Sequence, residues 1–350
     1  MKHPKVTLLT CTHNGEKTIQ QVLEAIANQT DISKDIFEIL IVDNASTDCT
    51  SEIADATIKN LHLNGKVLSE PRIGKVNAFL TGVYEAKGEI ISIIDDDNLI
   101  ETGFISHTLA VFEKYPKVGV VGSSNRIFVD TVIPNWFKWI EGRYACSATP
   151  LLENIQVTSE DGVIIAETGV IAGAGLSFRV EPLKRCLEKG YHFFNDGQRG
   201  EKMKVSGEDT ELCWLLRSLG YLFAYDPRIK LNHAIKPERL DIKYFKTLCA
   251  TIGAGCLGFD PFLFTHKYTD KNLPLKWTWQ WQLISKIKRY ITFIFSPENV
   301  GESQDEKKFR NWIARIECMA AIKRILHERS NYTKHIHQVA CGEWTDLRVR

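Results

Sequence analysis

Of the 350 residues, 44% are hydrophobic and 25% are charged, a composition typical of a globular protein with one large or two ordinary domains. Lys and Arg number 44 against 43 Asp and Glu, which leaves a net charge of +1 and argues against a nucleic-acid partner. No apolar run is long enough for a conventional membrane-spanning helix, and the first residues lack the apolar stretch of a secretory signal.

Short apolar runs alternate with helical patterns over the first hundred residues. Four of these runs predict strands, at 6–10, 37–42, 67–68 and 89–94. Helices are predicted between them, and Asn14 lies where the N-cap of the first helix would be expected. A third helix follows the loop 70–75 and ends near Ala86. Because these strands have no polar face, the pattern predicts a parallel sheet covered by helices on both sides.

The pattern changes after residue 100. The predicted elements are a helix over 103–114, strands over 118–122 and 173–179, a helix from 207 to about 219, and a strand over 229–233. Small residues in the run 173–179 indicate that this strand passes close to another part of the chain. From about residue 240 onward the pattern is helical, so we place a domain boundary there.

Polar residues follow three of the predicted strands, at 10–14, 43–48 and 95–97. The carboxyl ends of the strands form the ligand site of an open α/β sheet, so we expect the three clusters to meet. Asp95, Asp96 and Asp97 would repel one another at a buried strand end unless a cation compensates them, and such carboxylates suit Mg²⁺ or Mn²⁺. The sequence has no phosphate-binding P-loop and no G-x-G-x-x-G motif after the first strand, which argues against a P-loop nucleotidase and a nicotinamide dehydrogenase.

The order and spacing of these motifs resemble those of the family 2 glycosyltransferases. The matching runs are 6–14, 41–48, 74–88, 94–98 and 207–209, followed by His233. The resemblance implies an α/β protein with the GT-A (Rossmann-like) fold, in which helices flank a mixed, mainly parallel sheet. The implied domains are a catalytic domain over 1–240, with a nucleotide-binding half over 1–100 and an acceptor-side half over 101–240, and a helical C-terminal extension over 241–350.

The run 94–98 is similar to the D-x-D motif of the family. By this resemblance Asp97 would bind the cation, Mg²⁺ or Mn²⁺, with help from Asp95, and His233 would be a last metal or diphosphate contact. Asp95 would also face the ribose of the donor, and Asp96 would support the metal site from outside. The cation would neutralise the charge that grows on the departing nucleoside diphosphate.

The resemblance also implies contacts with the sugar donor. These contacts are Thr10, Asn14, Asp43, Asn44, Arg72 and Lys75, besides Asp95 and Asp96. Arg72 and Lys75 would add positive charge at the diphosphate, unless they are solvated surface cations. Many relatives have two aspartates where this chain has Asp43 and Asn44. Either the amide oxygen of Asn44 accepts a hydrogen bond from the base, or Asp43 makes that contact and Asn44 only shapes the turn.

The run 207–209 is similar to the acidic motif that carries the general base in the family. Asp209 would take the proton of the acceptor hydroxyl as its oxygen attacks the anomeric carbon, and Glu208 would support this geometry. Candidates for the acceptor-facing wall are Trp136, Gly173, Ala174 and Gly175. Aromatic faces stack on sugar rings, but packing in the core accounts equally well for the aromatic residues.

The function that the resemblance implies is an inverting, metal-dependent glycosyltransferase. Its partners would be a nucleotide-diphosphate sugar and a glycan or polyprenyl-linked acceptor. Transfer would be non-processive, because the sequence lacks the Q-x-x-R-W motif of processive members. Two alternatives stay open at this point. One is a sugar-1-phosphate nucleotidyltransferase, although the Gly-rich basic loop of such enzymes is not found over 10–16; the other is a non-catalytic protein that binds nucleotide sugars or carbohydrates.

Residues 274–295 combine tryptophans with a basic helical pattern. Trp277, Trp279 and Trp281 precede a run of spaced isoleucines, and the segment contains no acidic residue. Such a helix is typical of an interfacial membrane anchor, or it packs on the catalytic domain with a solvated basic face. Nine scattered cysteines without a C-x-x-C pair indicate a reduced, cytoplasmic chain, at the inner face of the cell membrane if this helix binds lipid.

Overall fold

The computed structural model describes residues 3–30, 32–196, 205–265, 274–295 and 304–348. The strands in these ranges are β1 (Val6–Thr12), β2 (Phe37–Asp43), β3 (Gly65–Ser69), β4 (Ile90–Ile93), β5 (Asn98–Ile100), β6 (Val118–Phe128), β7 (Leu151–Thr158), β8 (Ile164–Val170), β9 (Ser177–Arg179) and β10 (Leu222–Ala234). The helices are α1 (Ile19–Ala27), α2 (Thr50–Asn60), α3 (Lys75–Glu85), α4 (Phe104–Lys114), α5 (Val180–Glu188), α6 (Glu208–Ser218), α7 (Ile242–Thr265), α8 (Trp279–Phe295) and α9 (Gln304–Cys341).

All ten strands belong to one mixed sheet. Its order is β3-β2-β1-β4-β9-β6-β10-β8-β7, and β5 pairs with β10. The longest ladders, β1 with β2 and β6 with β10, are parallel. The short strand β9 lies antiparallel between β4 and β6 and joins the two parallel parts. The sheet has the mixed, mainly parallel character that the resemblance implies.

Two apolar layers cover the sheet, as the strand pattern predicts. On β1 the side chain of Leu8 packs in one layer and that of Leu9 in the other, because successive residues of a strand point to opposite faces. The Leu8 layer includes α1 and α4, whereas the Leu9 layer includes α3, α5 and α6. This double cover leaves the carboxyl ends of the parallel strands as the place for polar side chains.

Two local predictions differ from the structure. Helix α1 begins at Ile19 and follows Thr18, so Asn14 is not its N-cap. Asn14 has a φ of 56° and instead joins two loops, since its side-chain oxygen accepts a hydrogen bond from the backbone N–H of Thr47. The strand predicted over 173–179 begins only at Ser177. Its first residues form a turn around Gly175, whose φ of 73° favours glycine.

The helices after residue 240 pack directly on the sheet domain. Helix α7 contacts α6 and α9, and α8 contacts α9. By length and composition alone, Ile242–Phe264 of α7 could cross a membrane, but half of that segment is buried inside the protein. The division into a catalytic domain and an extension at residue 240 stays a prediction.

Candidate active site

Two of the three polar clusters of the sequence, 10–14 and 95–97, lie at the carboxyl ends of β1 and β4. Thr12 ends β1, and its hydroxyl donates a hydrogen bond of 2.6 Å to the carboxylate of Asp96 in the loop after β4. Burial raises the pKa of Asp96, and the negative charges of Asp97 and Asp95 act in the same direction. The structure therefore brings the first and third polar clusters together.

Lys75 connects this acidic loop to the first turn of α6. Its ammonium nitrogen lies 3.3 Å from Oδ1 of Asp95 and 3.3 Å from Oε1 of Glu208. Attraction to Asp95 raises the pKa of Lys75 well above its usual value, although burial opposes the shift. Lys75 is therefore an ion-paired cation between the donor-side and acceptor-side candidates, although 42% of its side chain is exposed.

Asp209 lies beside this cation, in the first turn of α6. One carboxylate oxygen accepts a hydrogen bond of 2.6 Å from the backbone N–H of Gly173, and the other accepts one of 2.7 Å from that of Thr210. Burial raises the pKa of Asp209 to about 6, the negative charge of Glu208 adds to the effect, and Lys75 opposes it. A fixed carboxylate with a pKa near neutrality suits a general base.

The residues predicted to form the acceptor-facing wall lie in two separate places. A Cβ atom at Gly173 would lie 3.0 Å from the carboxylate of Asp209, so a small residue is needed beside that group. Ala174 is buried, and its carbonyl oxygen accepts a hydrogen bond of 2.9 Å from the side chain of Asn125. Trp136 instead stacks on Phe245 of α7 with ring centroids 5.3 Å apart. The structure therefore favours core packing for Trp136.

Asp97 occupies a second charged pocket, at the end of β10. Its Oδ1 lies 3.2 Å from Nε2 of His233, and its Oδ2 accepts a hydrogen bond of 3.1 Å from Arg239. Burial opposes protonation of His233, but the hydrogen bond to Asp97 outweighs it and raises the pKa of His233 to about 10. Although burial favours the neutral acid, His233 and Arg239 hold the pKa of Asp97 below its usual range.

Carboxylate and imidazole groups are ligand types for a divalent cation such as Mn²⁺. Asp97 and His233 form an ion pair of 3.2 Å, so Nε2 of His233 would have to lose its proton before it could bind the ion. In the part of the chain that the structure describes, no group of three His, Cys, Asp or Glu residues is arranged around a common point. Phosphate oxygens and water would have to supply the remaining ligands. Asp95 pairs with Lys75 instead, and its role as a ligand stays a prediction.

The second polar cluster shapes the loop that leads into α3. The amide nitrogen of Asn44 donates to the carbonyl oxygen of Arg72 at 2.8 Å, and its amide oxygen accepts the N–H of Gly74 at 2.9 Å. The side chain is thus used within the protein, and Asn44 is only 2% exposed. The structure therefore favours a turn-shaping role for Asn44. Asp43 is partly exposed, but its two carboxylate oxygens accept hydrogen bonds from Ser46 of the same loop and from Ser51 in the first turn of α2, and its contact with the base stays a prediction.

Two further donor candidates have contacts of their own. Arg72 forms a two-pronged pair with Glu70, with N–O distances of 2.9 and 2.7 Å, while most of its side chain stays exposed. These hydrogen bonds lower the pKa of Glu70 to about 2, against its burial. Thr10 is fully buried in β1, and its hydroxyl has no hydrogen-bond partner within the described ranges. Because the whole residue is buried, the contact of Thr10 with a donor stays a prediction.

Several residues of the site gave no signal in the sequence. Arg239 binds Asp97 from a short turn after β10, and one arginine among many has no distinguishing pattern. Glu211 of α6 is fully buried and accepts a hydrogen bond of 3.0 Å from the backbone N–H of Asn195. Asn195 in turn accepts one of 2.6 Å from Arg324 of α9. These contacts connect residues far apart in the chain, which only the fold brings together.

Comparisons with known proteins identify the family and the fold of this chain. Residues 7–187, more than half of the chain, match the model of the family described as Glycosyl transferase family 2. The putative glycosyltransferase EpsH of Bacillus subtilis is 34% identical over 109 residues, which cover 31% of this chain and 30% of that protein. The poly-beta-1,6-N-acetyl-D-glucosamine synthase of Staphylococcus epidermidis is 28% identical over 223 residues, which cover 64% of this chain and 48% of that protein. The chain thus spans less than half the length of either relative.

A solved structure shares the fold. The mannosyltransferase PcManGT from Pyrobaculum calidifontis superposes with a TM-score of 0.59 at 17% identity, and the match covers 94% of this chain and 89% of that one. Family and fold together leave the two alternative functions, a nucleotidyltransferase and a non-catalytic binding protein, without support. The chain has the GT-A fold and belongs to glycosyl transferase family 2.

Proposed function

We propose that this enzyme transfers a single sugar, with inversion, from a nucleotide-diphosphate sugar to a hydroxyl group of a glycan or polyprenyl-linked acceptor. The observation that carries the proposal is the pair of ion pairs made by Lys75. Lys75 binds Asp95 of the acidic loop and Glu208 beside Asp209. A partly buried carboxylate that suits a base therefore lies next to the loop that would hold the donor. The names of its relatives support a role in polysaccharide biosynthesis.

Asp209 would be the catalytic base. The acceptor oxygen attacks the anomeric carbon as its proton passes to the carboxylate of Asp209, and the bond from that carbon to the diphosphate breaks. Gly173 and Thr210 hold the carboxylate by backbone N–H groups, so it cannot turn away from an incoming hydroxyl. A single displacement of this kind inverts the configuration at the anomeric carbon. Glu208 would hold Lys75 in place, and the charge of Lys75 acts on Asp209.

A Mg²⁺ or Mn²⁺ ion would supply a positive charge that stabilises the nucleoside diphosphate as it leaves. Asp97 and His233 would hold it, and Arg239 keeps the carboxylate of Asp97 in place. The solved mannosyltransferase supports this proposal, because it was crystallised with GDP-Man and Mn²⁺. Asp96 would support the loop through Thr12.

The proposed donor site runs from the end of β1 to the start of α3. Thr10, Asn14 and Asp43 would border the nucleobase, and Asp95 would face the ribose. Arg72 and Lys75 would add positive charge at the diphosphate. Gly173, Ala174 and Gly175 would form the acceptor side. The proposed location is the cytoplasm, at the inner face of the cell membrane where a polyprenyl-linked acceptor would be found.

A panel of nucleotide-diphosphate sugars tests the proposal by thermal unfolding in the presence of Mn²⁺. The correct donor should stabilise the folded protein by about 2.7 kcal/mol at a concentration of 100 times its dissociation constant. The same donor should release its nucleoside diphosphate, and no pyrophosphate, when an acceptor is added. Stabilisation by nucleoside triphosphates with release of pyrophosphate would contradict the proposed transfer reaction.

A further inference from the structure

Helix α8 is attached to the protein through one side. Lys286 on that side forms an ion pair of 2.6 Å with Asp260 of α7. Leu283, on the same side, packs against a buried cluster that includes Leu257 and Trp277. These contacts fix which side of α8 faces the protein and which faces outward.

The outward side of α8 carries an apolar stripe. It consists of Trp281, Ile284, Ile287, Ile291, Ile294 and Phe295, which are all exposed. Also exposed are Ser285, Lys288, Arg289 and Thr292. The exposed fractions of Ile284 and Phe295 are 57% and 77%. The spacing of three and four residues aligns these side chains along a helix about 25 Å long. A helix on a globular protein normally turns its apolar stripe toward the core, and a continuous exposed stripe indicates a binding surface.

The positive charges beside the apolar stripe of α8 favour a lipid surface over a second copy of the chain. Lys276, Lys288 and Arg289 are exposed, and residues 274–295 contain no acidic side chain. A symmetric contact with a second copy of the chain would bring this surface against itself and place cations next to cations. An anionic lipid surface instead offers complementary charge and an apolar interior.

We propose that the outward side of α8 binds the surface of an anionic lipid bilayer. The helix would lie in the plane of the interface with its apolar stripe among the acyl chains and with Lys288 and Arg289 at the lipid headgroups. The inference rests on the surface of α8 and not on the proposed transfer reaction. It adds a partner to the enzyme, an anionic bilayer, and names the surface that binds it.

Flotation with phosphatidylcholine vesicles, with and without phosphatidylglycerol, tests this surface on the full chain. The protein should float with the anionic vesicles, and less of it should do so as salt is added. Ile284→Ser with Ile291→Ser should lower the partition coefficient at least tenfold, because two apolar side chains no longer enter the lipid. Lys288→Glu with Arg289→Glu should remove the preference for phosphatidylglycerol.

The matched control is Ile155→Ser with Val157→Ser on strand β7. These two residues are exposed to a similar extent, 55% and 42%, but their strand has no cationic flank of this kind, and the control should bind like the parent. Stabilisation by the sugar donor should be unchanged in every variant, which separates this test from that of the transfer reaction. A parent that stays in the soluble fraction with both vesicles would overturn the proposal. So would equal binding by the Ile284/Ile291 variant, or light scattering that shows a dimer which these two substitutions dissociate.

Discussion

Lys75 is the residue through which the two halves of the site act on each other. Its ammonium group is shared by Asp95 and Glu208 at equal distances of 3.3 Å, and it also lowers the pKa of Asp209. Burial and the negative charge of Glu208 raise the pKa of Asp209, and Lys75 opposes this shift. We therefore expect Lys75 to have a second role beside any contact with the diphosphate, since it would keep the proposed base ready to accept a proton.

Lys75→Met should move the acidic limb of the pH profile of transfer to higher pH. The base works only when it is deprotonated, so the rate falls as the pH drops through the pKa of Asp209, about 6 in the parent. Loss of the neighbouring cation raises that pKa further. The dependence of kcat/KM on pH would measure the shift. The control is Lys66→Met, which removes the cation of an exposed pair with Glu85; an acidic limb that stays in place in Lys75→Met would contradict this role.

Asp97 offers a separate test of the metal site. Asp97→Asn keeps the shape of the side chain but gives up the negative charge that a divalent cation needs. Binding of the nucleoside diphosphate should therefore lose its dependence on Mn²⁺, whereas the weak binding in EDTA should match that of the parent. Isothermal titration in both buffers measures the difference. If Mn²⁺ strengthens binding equally in parent and variant, Asp97 is not a metal ligand.

At the scale of elements, α6 is held in place by the helices that follow residue 240. Glu211 of α6 accepts a hydrogen bond from Asn195, and Asn195 accepts one from Arg324 of α9. Arg324 is 2% exposed and lies over the ring of Phe194, 4.2 Å from its centroid. Buried polar groups tied in this way are costly to displace. The C-terminal helices therefore support the turn that carries the proposed base.

Glycines of α7 allow this close packing. They form the run Gly253, Gly255 and Gly258, a G-x-G-x-x-G pattern that lies inside a helix and has no part in a nucleotide loop. A Cβ atom at Gly255 would lie 1.7 Å from the carbonyl oxygen of Ser206, just before the first turn of α6. A side chain there would push the two segments apart.

Gly255→Ala should therefore lower the transfer rate at least tenfold, although the substituted residue touches no substrate. Overpacking of this kind costs about 1–3 kcal/mol of stability, which leaves most of the protein folded. The comparison is with Gly142→Ala, where an added Cβ atom meets no atom within 4 Å. Initial rates and melting temperatures of both variants would be measured. A Gly255→Ala enzyme with the rate of the parent would show that the packing of α7 does not position the base.

Sequence patterns predicted those elements whose signal is local. The strand ends and the loops 43–48 and 95–97 could be predicted because apolar runs and turn-forming residues follow one another directly in the chain. The hairpin of β7 and β8 was not predicted. Most of the residues of β7 are exposed, so its burial does not alternate between the two faces. The role of Trp136 was ambiguous in the sequence, because an aromatic ring can stack on a sugar or on another aromatic ring. In the structure Trp136 stacks on Phe245. The hydrogen bond of Arg324 to Asn195 joins residues 129 positions apart, which no local pattern contains.

For the molecule as a whole, we infer that one mixed sheet brings a donor half and a base together. The family match ends at residue 187, so the proposed base lies beyond the matched residues and depends on the geometry alone. Asp209 could also serve only to fix the first turn of α6. Asn is an equally good residue at the start of a helix, so that structural role would leave turnover nearly unchanged when Asp is replaced by Asn.

The most direct measurement is therefore the transfer rate of Asp209→Asn together with its affinity for the donor. Asp241→Asn is the control, since Asp241 likewise accepts a backbone hydrogen bond, from Lys243, at the start of α7. We predict that the transfer rate of Asp209→Asn falls by about 10²–10⁴-fold, while donor affinity changes by less than about tenfold, or 1.4 kcal/mol. Turnover at the rate of the parent would contradict the assignment of Asp209 as the base, and loss of donor binding together with turnover would place Asp209 in the donor site instead.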